Sequence, residues 1–194
     1  MCQSVLMSPP PDRQDIILDA AFHAFASYGF RRTSMEDIAR GAGLSRSALY
    51  LHFRNKEDLF RKLTERFFDQ ALQDVAQALA VADQTAAKAI EAAFIAKDGK
   101  FMEIVLGTPH GAELMDAGFA IGGDLAVVGE ARMQALFAEW MARRGVPDDL
   151  GPAGEVAGAL MAALKGLKSG SANLGDYRAG QRQLARVFGR ALDR

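Results

Sequence analysis

Residues 33–56, TSMEDIARGAGLSRSALYLHFRNK, leave the chain few ways to fold. Two short apolar stretches are each opened by a hydroxyl residue and are separated by Gly43, which can take a left-handed turn. The spacing predicts a helix from Ser34 to Gly41 or Ala42 and a second from Arg46 to Phe53. Thr33-Ser34-Met35-Glu36 fits a capping box, in which the Thr33 hydroxyl accepts from the Glu36 amide and the Glu36 side chain reaches back. Ser45 caps the second helix. Ala39, four residues before Gly43, is small enough for the two helices to cross closely. Ile38, Ala42, Leu44, Leu49 and Phe53 form the inward seam, since Leu49 and Phe53 fall within about 40° of each other at helical spacing. Ser47, Ala48, Leu51 and His52 then point the opposite way. This is helix-turn-helix geometry, whose second helix enters a DNA major groove with its N-terminal end against the bases.

That reading assigns roles by position. Arg46 is the only long donor at the start of the second helix, so base reading falls to Arg46, Ser47 and Ala48, with Leu51 available to a thymine methyl. Thr33 and Ser34 open the first helix, where backbone amides and the dipole favour a phosphate. His52 is either a phosphate contact or a core histidine. Charge agrees with the assignment: residues 31–62 carry a net +4 within a chain of net −1, leaving −5 elsewhere. A basic end on a near-neutral protein is the electrostatic footprint of a module that meets nucleic acid with one face.

The rest of the 194 residues also reads as helix. Alanine outnumbers valine, isoleucine and threonine together by 35 to 20, which disfavours sheet. Apolar residues recur at helical spacing from Asp12 to Tyr28, and Gly29 follows as a stop. Asn55 caps a long helix through Leu59, Leu63, Phe67, Leu72, Val75 and Leu79. Further helices are expected over Gln84–Ala96, Phe101–Leu106, from Thr108-Pro109, from Asp124 to Gly145, over Gly154–Ala172 and over Asp176–Leu192. The expected fold is all-α with about nine helices. It divides into a leader (1–11) expected to be flexible, a helix-turn-helix domain (12–58) and a helical ligand-binding and dimerisation domain (59–194). Cys2 alone makes neither an internal disulfide nor a cysteine metal cage, and the N-terminus lacks the pattern of a secretory signal. No apolar run approaches the length of a membrane span. The expectation is a cytoplasmic protein with no membrane contact.

The C-terminal half carries no nucleophile elbow, phosphate loop, carboxylate dyad or metal set, so neither an enzyme nor a bound cofactor or metal is expected. His23, His52 and His110 lie in different elements. Phe67, Met102, Met115, Phe137, Trp140 and Met141 are either core residues or, since enrichment in phenylalanine and methionine suits an adaptable apolar pocket, candidates for its lining. His110, beside Thr108 and Glu113, is either the candidate polar group for orienting a ligand or a satisfied histidine near a helix start. The glycine-rich segment 107–123 reads as broken and able to shift. In the last two helices, Val156, Leu160, Leu164 and Leu167 form one stripe, with Ala159, Ala162, Ala163 and Gly166 on an adjoining small-residue surface. Tyr177, Leu184 and Phe188 form the other stripe. Both stripes suit a four-helix bundle across a two-fold axis, the alternative being packing within the chain only.

Residues Ile16 to Phe60 resemble the TetR family of transcriptional regulators. The resemblance rests on Ala21, Phe25, Gly29 and Phe30 at the end of the first helix, then on TSMEDIA (33–39), AGLSRSALYLHF (42–53) and NKEDLF (55–60). It covers about a quarter of the chain. It implies an all-helical homodimer with a variable C-terminal ligand domain, acting as a repressor on a palindromic double-stranded DNA operator. It also implies release by a small apolar or aromatic effector. The alternative is a regulator of the same kind with no small ligand, controlled by a protein partner. The matching family positions imply that the Tyr50 hydroxyl and Lys56 hold phosphates. Unlike some members, this chain has no basic N-terminal arm, so minor-groove contacts from the leader are not expected.

Overall fold

In a computed structural model describing residues 12–193 (without the side chains of residues 99 and 100), the chain forms eight α-helices and one 3-10 turn. The leader 1–11, with Cys2, lies outside the described residues. The helices are α1 (Arg13–Tyr28), α2 (Met35–Gly41), α3 (Arg46–Tyr50), α4 (Lys56–Ala80), α5 (Ala86–Gly107), α6 (Gly111–Arg144), α7 (Ala153–Gly170) and α8 (Leu174–Leu192), with the 3-10 turn at Asp148–Leu150. No strand occurs among the described residues, and none of their helices is long and apolar enough to cross a membrane.

Two apolar cores organise these helices. The first gathers Ile17 and Phe25 of α1, Ile38 of α2, Leu49 of α3 and Phe53, and closes on Leu59 and Phe60 in the first turns of α4. The expected boundary at 58 therefore falls just before the residues that complete this core. Leu114 and Ala117 of α6 also belong to it, so the second half of the chain reaches into the first domain. The second core packs Val75, Ile90, Phe94, Met133, Phe137, Leu160, Leu164 and Tyr177 between α4, α5, α6, α7 and α8. Helix α4, with 25 residues, spans both cores.

Several expected boundaries move. Ser34, not Thr33, caps α2: its hydroxyl accepts from the Asp37 amide at 3.2 Å, and Asp37 accepts from the Ser34 amide at 3.0 Å. Thr33 is instead buried, its hydroxyl lying 2.7 Å from the Gly29 carbonyl and 3.2 Å from that of Ala24, where it satisfies acceptors at the end of α1. Helix α3 ends at Tyr50, so His52 and Phe53 lie in the turn beyond it. Helix α5 runs unbroken through Gly99, since packing against α4 and α8 outweighs the roughly 1 kcal/mol propensity cost of one glycine. Residues 111–123 are helical too, within a 34-residue α6 that kinks at Gly122 (φ −118°, ψ 15°). There a β-carbon would stand 3.2 Å from the Thr64 side chain.

The two stripes assigned to a two-fold interface are used inside the chain only in part. Val156, Leu160, Leu164 and Tyr177 are buried in the second core, and Leu167, Leu184 and Phe188 pack half-buried against it. Ala163 is half-buried as well. The reason is that α7 lies on α6 and α8 on α5, so the most apolar face of each helix already has a partner. The small-residue surface of Ala159, Ala162 and Gly166 stays outside.

Candidate nucleic-acid interface

Helix α3 is a single well-anchored turn and a half. Its inner side is fixed by Leu49, which is fully buried, and by Phe53 just beyond. Gly43 takes φ +68°, the left-handed conformation that turns the chain between α2 and α3, and a β-carbon there would meet nothing within 4 Å. Only the backbone conformation thus favours glycine at this position. Ser45 caps α3 by accepting from the Ala48 amide at 3.1 Å and also lies 3.0 Å from the Ser47 hydroxyl.

The outer side is polar with one apolar exception. Arg46 and Ser47 are exposed, Ala48 and His52 are half-buried, and Tyr50 is 43% exposed. Leu51 is 86% exposed. The Arg46 guanidinium sits 5.6 Å from the centre of the Tyr50 ring, with Nη2 3.5 Å from its hydroxyl. That contact orients the one long donor at the head of α3 and holds its pKa above the usual arginine value.

Two acids of this region, Asp37 and Asp58, are turned to local tasks. Asp37 is held below the ordinary carboxylate range by its bonds to Ser34 and by Arg40 nearby. Asp58 is lowered by its hydrogen bonds with Arg54, whose guanidinium lies 3.0 Å away. Both carboxylates therefore stay charged and paired beside a neighbouring cation, while Arg31, Arg32 and Arg46 are exposed.

Lys56 is placed differently from the phosphate-holding role that the resemblance implies. Its ammonium donates to the carbonyls of Phe30 (2.7 Å), Thr33 (2.9 Å) and Arg31 (3.3 Å) and lies 4.5 Å from the centre of the Phe30 ring. An ammonium has three donors, and here all three go to the loop between α1 and α2. The same loop is gripped from the other side by Glu113 of α6, which accepts from the Arg31 amide at 2.6 Å. The sequence offered no signal for this contact, which joins residues 82 positions apart.

The candidate ligand residues do not converge on one site. His110 and Met115 lie at the start of α6, with His110 Nδ1 3.9 Å from Glu113 and beside Gly29. Phe137, Trp140 and Met141 lie near the other end of that helix, about 40 Å away at the usual rise, and are packed into the second core. Met102 is fully buried there, while Phe67 is half-buried and its ring centre stands 5.1 Å from that of Phe101.

Comparison with known proteins places this geometry. Residues 17–63 match the family described as bacterial regulatory proteins, tetR family. The HTH-type transcriptional regulator AcrR of Shigella flexneri is 45% identical over 49 residues, 25% of this chain and 23% of that protein. The HTH-type transcriptional repressor KstR2 of Mycolicibacterium smegmatis is 37% identical over 62 residues, 32% of this chain and 30% of that protein. The chain thus matches less than a third of the length of either relative. Over the whole fold, it is similar to SmeT, the repressor of the Stenotrophomonas maltophilia multidrug efflux pump SmeDEF. The TM-score is 0.63 at 21% identity, covering 90% of this chain and 87% of that one. The fatty acid degradation regulator FadR of Bacillus halodurans gives a TM-score of 0.66 at 15% identity, covering 94% and 97%. The chain carries, over residues 17–63, the N-terminal domain of the TetR family of bacterial regulatory proteins, set on a helical body with the fold of those regulators.

Proposed function

We propose that the protein is a sequence-specific transcriptional repressor that binds a palindromic double-stranded DNA operator as a homodimer and is released by a small molecule. The observation that carries the reading is the outer face of α3, where an 86% exposed leucine stands beside an exposed arginine and a tyrosine. An apolar side chain of that size gains nothing in water, whereas a major groove offers it thymine methyl groups and offers the arginine a guanine edge. Arg46, Ser47, Ala48 and Leu51 read bases in this proposal, and Ser34, Tyr50 and His52 hold phosphates. Thr33 and Lys56 support the loop behind them.

Control from the C-terminal body has a physical route. Glu113, Leu114 and Ala117 attach the first part of α6 to the DNA-reading domain, and Gly122 separates that part from the rest of the helix. A ligand that shifts α6 about Gly122 displaces the Gly29–Thr33 loop and with it α2. SmeT has been solved as a complex with triclosan, which supports a small-molecule effector for a body of this shape. The tight packing of Phe137 and Met141 favours a second reading, in which a protein partner supplies the control. Sequencing DNA fragments retained by the purified protein tests the proposal. The expected result is enrichment of a near-palindrome whose half-sites lie about 34–36 Å apart. No enrichment over input overturns it.

A further inference from the structure

The C-terminal body buries a lysine that the DNA-reading function does not use. Lys97 is 3% exposed, on α5, with its ammonium 2.9 Å from Glu130 of α6 and 3.4 Å from Asp98. Asp98 in turn is held at 2.6 Å by Lys168 of α7 and accepts from the Tyr177 hydroxyl of α8 at 2.7 Å. Burial alone would lower Lys97, but the carboxylates of Asp98 and Glu130 outweigh it and keep the ammonium protonated. The two partners of Lys97 are not equivalent. Asp98 is sealed inside with no exposed side-chain surface, whereas the Glu130 side chain is 44% exposed and swings into water at little cost.

Beside this pair runs a half-buried aromatic row. Gly129, next to Glu130, has no room for a β-carbon because the Phe68 ring occupies that space. The ring centres of Phe68 and Phe67 are 5.5 Å apart, and those of Phe67 and Phe101 are 5.1 Å apart. Phe101 lies one helical turn from Lys97 on the same face of α5. The row thus runs along the seam of α4, α5 and α6 and ends one turn from the buried cluster of Lys97, Asp98 and Lys168.

We propose that this seam binds an amphipathic carboxylate, whose anionic group replaces Glu130 on the Lys97 ammonium and whose apolar body lies on Phe67, Phe68 and Phe101. The exchange is carboxylate for carboxylate, so the buried lysine is never left without a counter-charge, the state that makes broken buried pairs costly. An uncharged ligand of equal size leaves Glu130 in place and gains nothing from Lys97. A cationic ligand is repelled by it. The inference rests on the proposed effector control and names the chemical class of the effector.

Isothermal titration with sodium octanoate, sodium 2-naphthoate and uncharged 1-octanol tests it, with operator binding measured on the same preparations. At least one carboxylate is expected to bind one-to-one, with 1-octanol about tenfold or more weaker, the margin of a charge-assisted contact. Lys97→Met should remove that preference while the protein still melts cooperatively. Glu130→Gln, at a part-exposed position, should tighten carboxylate binding by removing its competitor. Failure of both carboxylates to bind, equal binding of 1-octanol, or an affinity unmoved by Glu130→Gln overturns the inference, the last of these even where Lys97→Met does not fold. Intact operator binding beside any of those results leaves the DNA-reading proposal standing. Loss of operator binding with carboxylate affinity retained does the reverse.

Discussion

Arg46 and Lys56 show how two cations ten positions apart come to do different work. Arg46 is exposed and braced by Tyr50, while Lys56 spends its three donors on the carbonyls of Phe30, Arg31 and Thr33. Arg46→Ala should relax preference at one base position of the operator, by about 1–3 kcal/mol of discrimination, with little change in thermal stability. Lys56→Ala should weaken binding to all sequences alike. Because it acts through the loop, the slope of affinity against salt should stay unchanged, whereas loss of a phosphate contact lowers that slope by about one. Affinity measured on operator variants across a salt series separates the two. The inward residues Ile38, Leu49 and Phe53 were legible from spacing alone, because burial within one helical hairpin follows local periodicity. The hydroxyl that caps α2 was not. Thr33 and Ser34 are equivalent by type, and only the Ala24 and Gly29 carbonyls of α1 decide which turns inward.

At the scale of elements, legibility falls where helices meet partners distant in sequence. Gly99 and Gly118 look like breaks to a reader of single stretches, yet α5 and α6 run through them because packing replaces propensity, whereas the break expected before Asp124 is present as the kink at Gly122. Gly189 marks a close crossing that no spacing rule reveals: a β-carbon there would overlap the backbone of Ala87, where α8 rests on α5. Gly189→Ala should therefore destabilise the protein by about 1–3 kcal/mol despite its better helix propensity, as overpacking outweighs a gain of about 1 kcal/mol. A chemical denaturation curve shifted to higher denaturant would contradict that crossing. At the α6 kink, Arg61 of α4 forks onto Asp124 with both nitrogens at 2.7 Å and also donates to the Ile121 carbonyl at 2.6 Å. The Arg61 hydrogen bonds hold the Asp124 carboxyl down at about 2. A carboxyl lowered in the folded state stabilises above its unfolded value, about 3.9, and that contribution is lost as pH falls through about 2. Wild type should thus exceed Asp124→Asn in stability at neutral pH, with the gap closing between about pH 4 and 2. Carboxyl carbon shifts of Asp124 across that range check the titration directly.

For the whole molecule, the proposed dimer raises the question of which surface would let two copies present their α3 helices to one operator. A two-fold dimer uses the same patch on each copy, so that patch has to be on the outside of the chain. Leu160, Leu164 and Tyr177 are inside it, so the proposed interface on α7 and α8 is left with the half-buried Leu167, Leu184 and Phe188, with Ala159, Ala162 and Gly166 on the first helix and with the 54% exposed Val187 on the second. Small residues on α7 let a partner helix approach closely, and an exposed valine has surface to lose to water on pairing. The two classes of position should respond differently to charge. Ala162→Arg combined with Val187→Glu should halve the mass seen in sedimentation at micromolar concentration. It should leave helix content and melting near those of wild type, and operator affinity should fall because only one half-site can be held at a time. Leu164→Glu should instead abolish cooperative melting, since it places an unpaired carboxylate in the second core. Should Ala162→Arg with Val187→Glu sediment like wild type while a wild-type dimer is present, the two-fold axis passes through another face. A wild-type monomer at that concentration would remove the dimeric reading of the operator altogether.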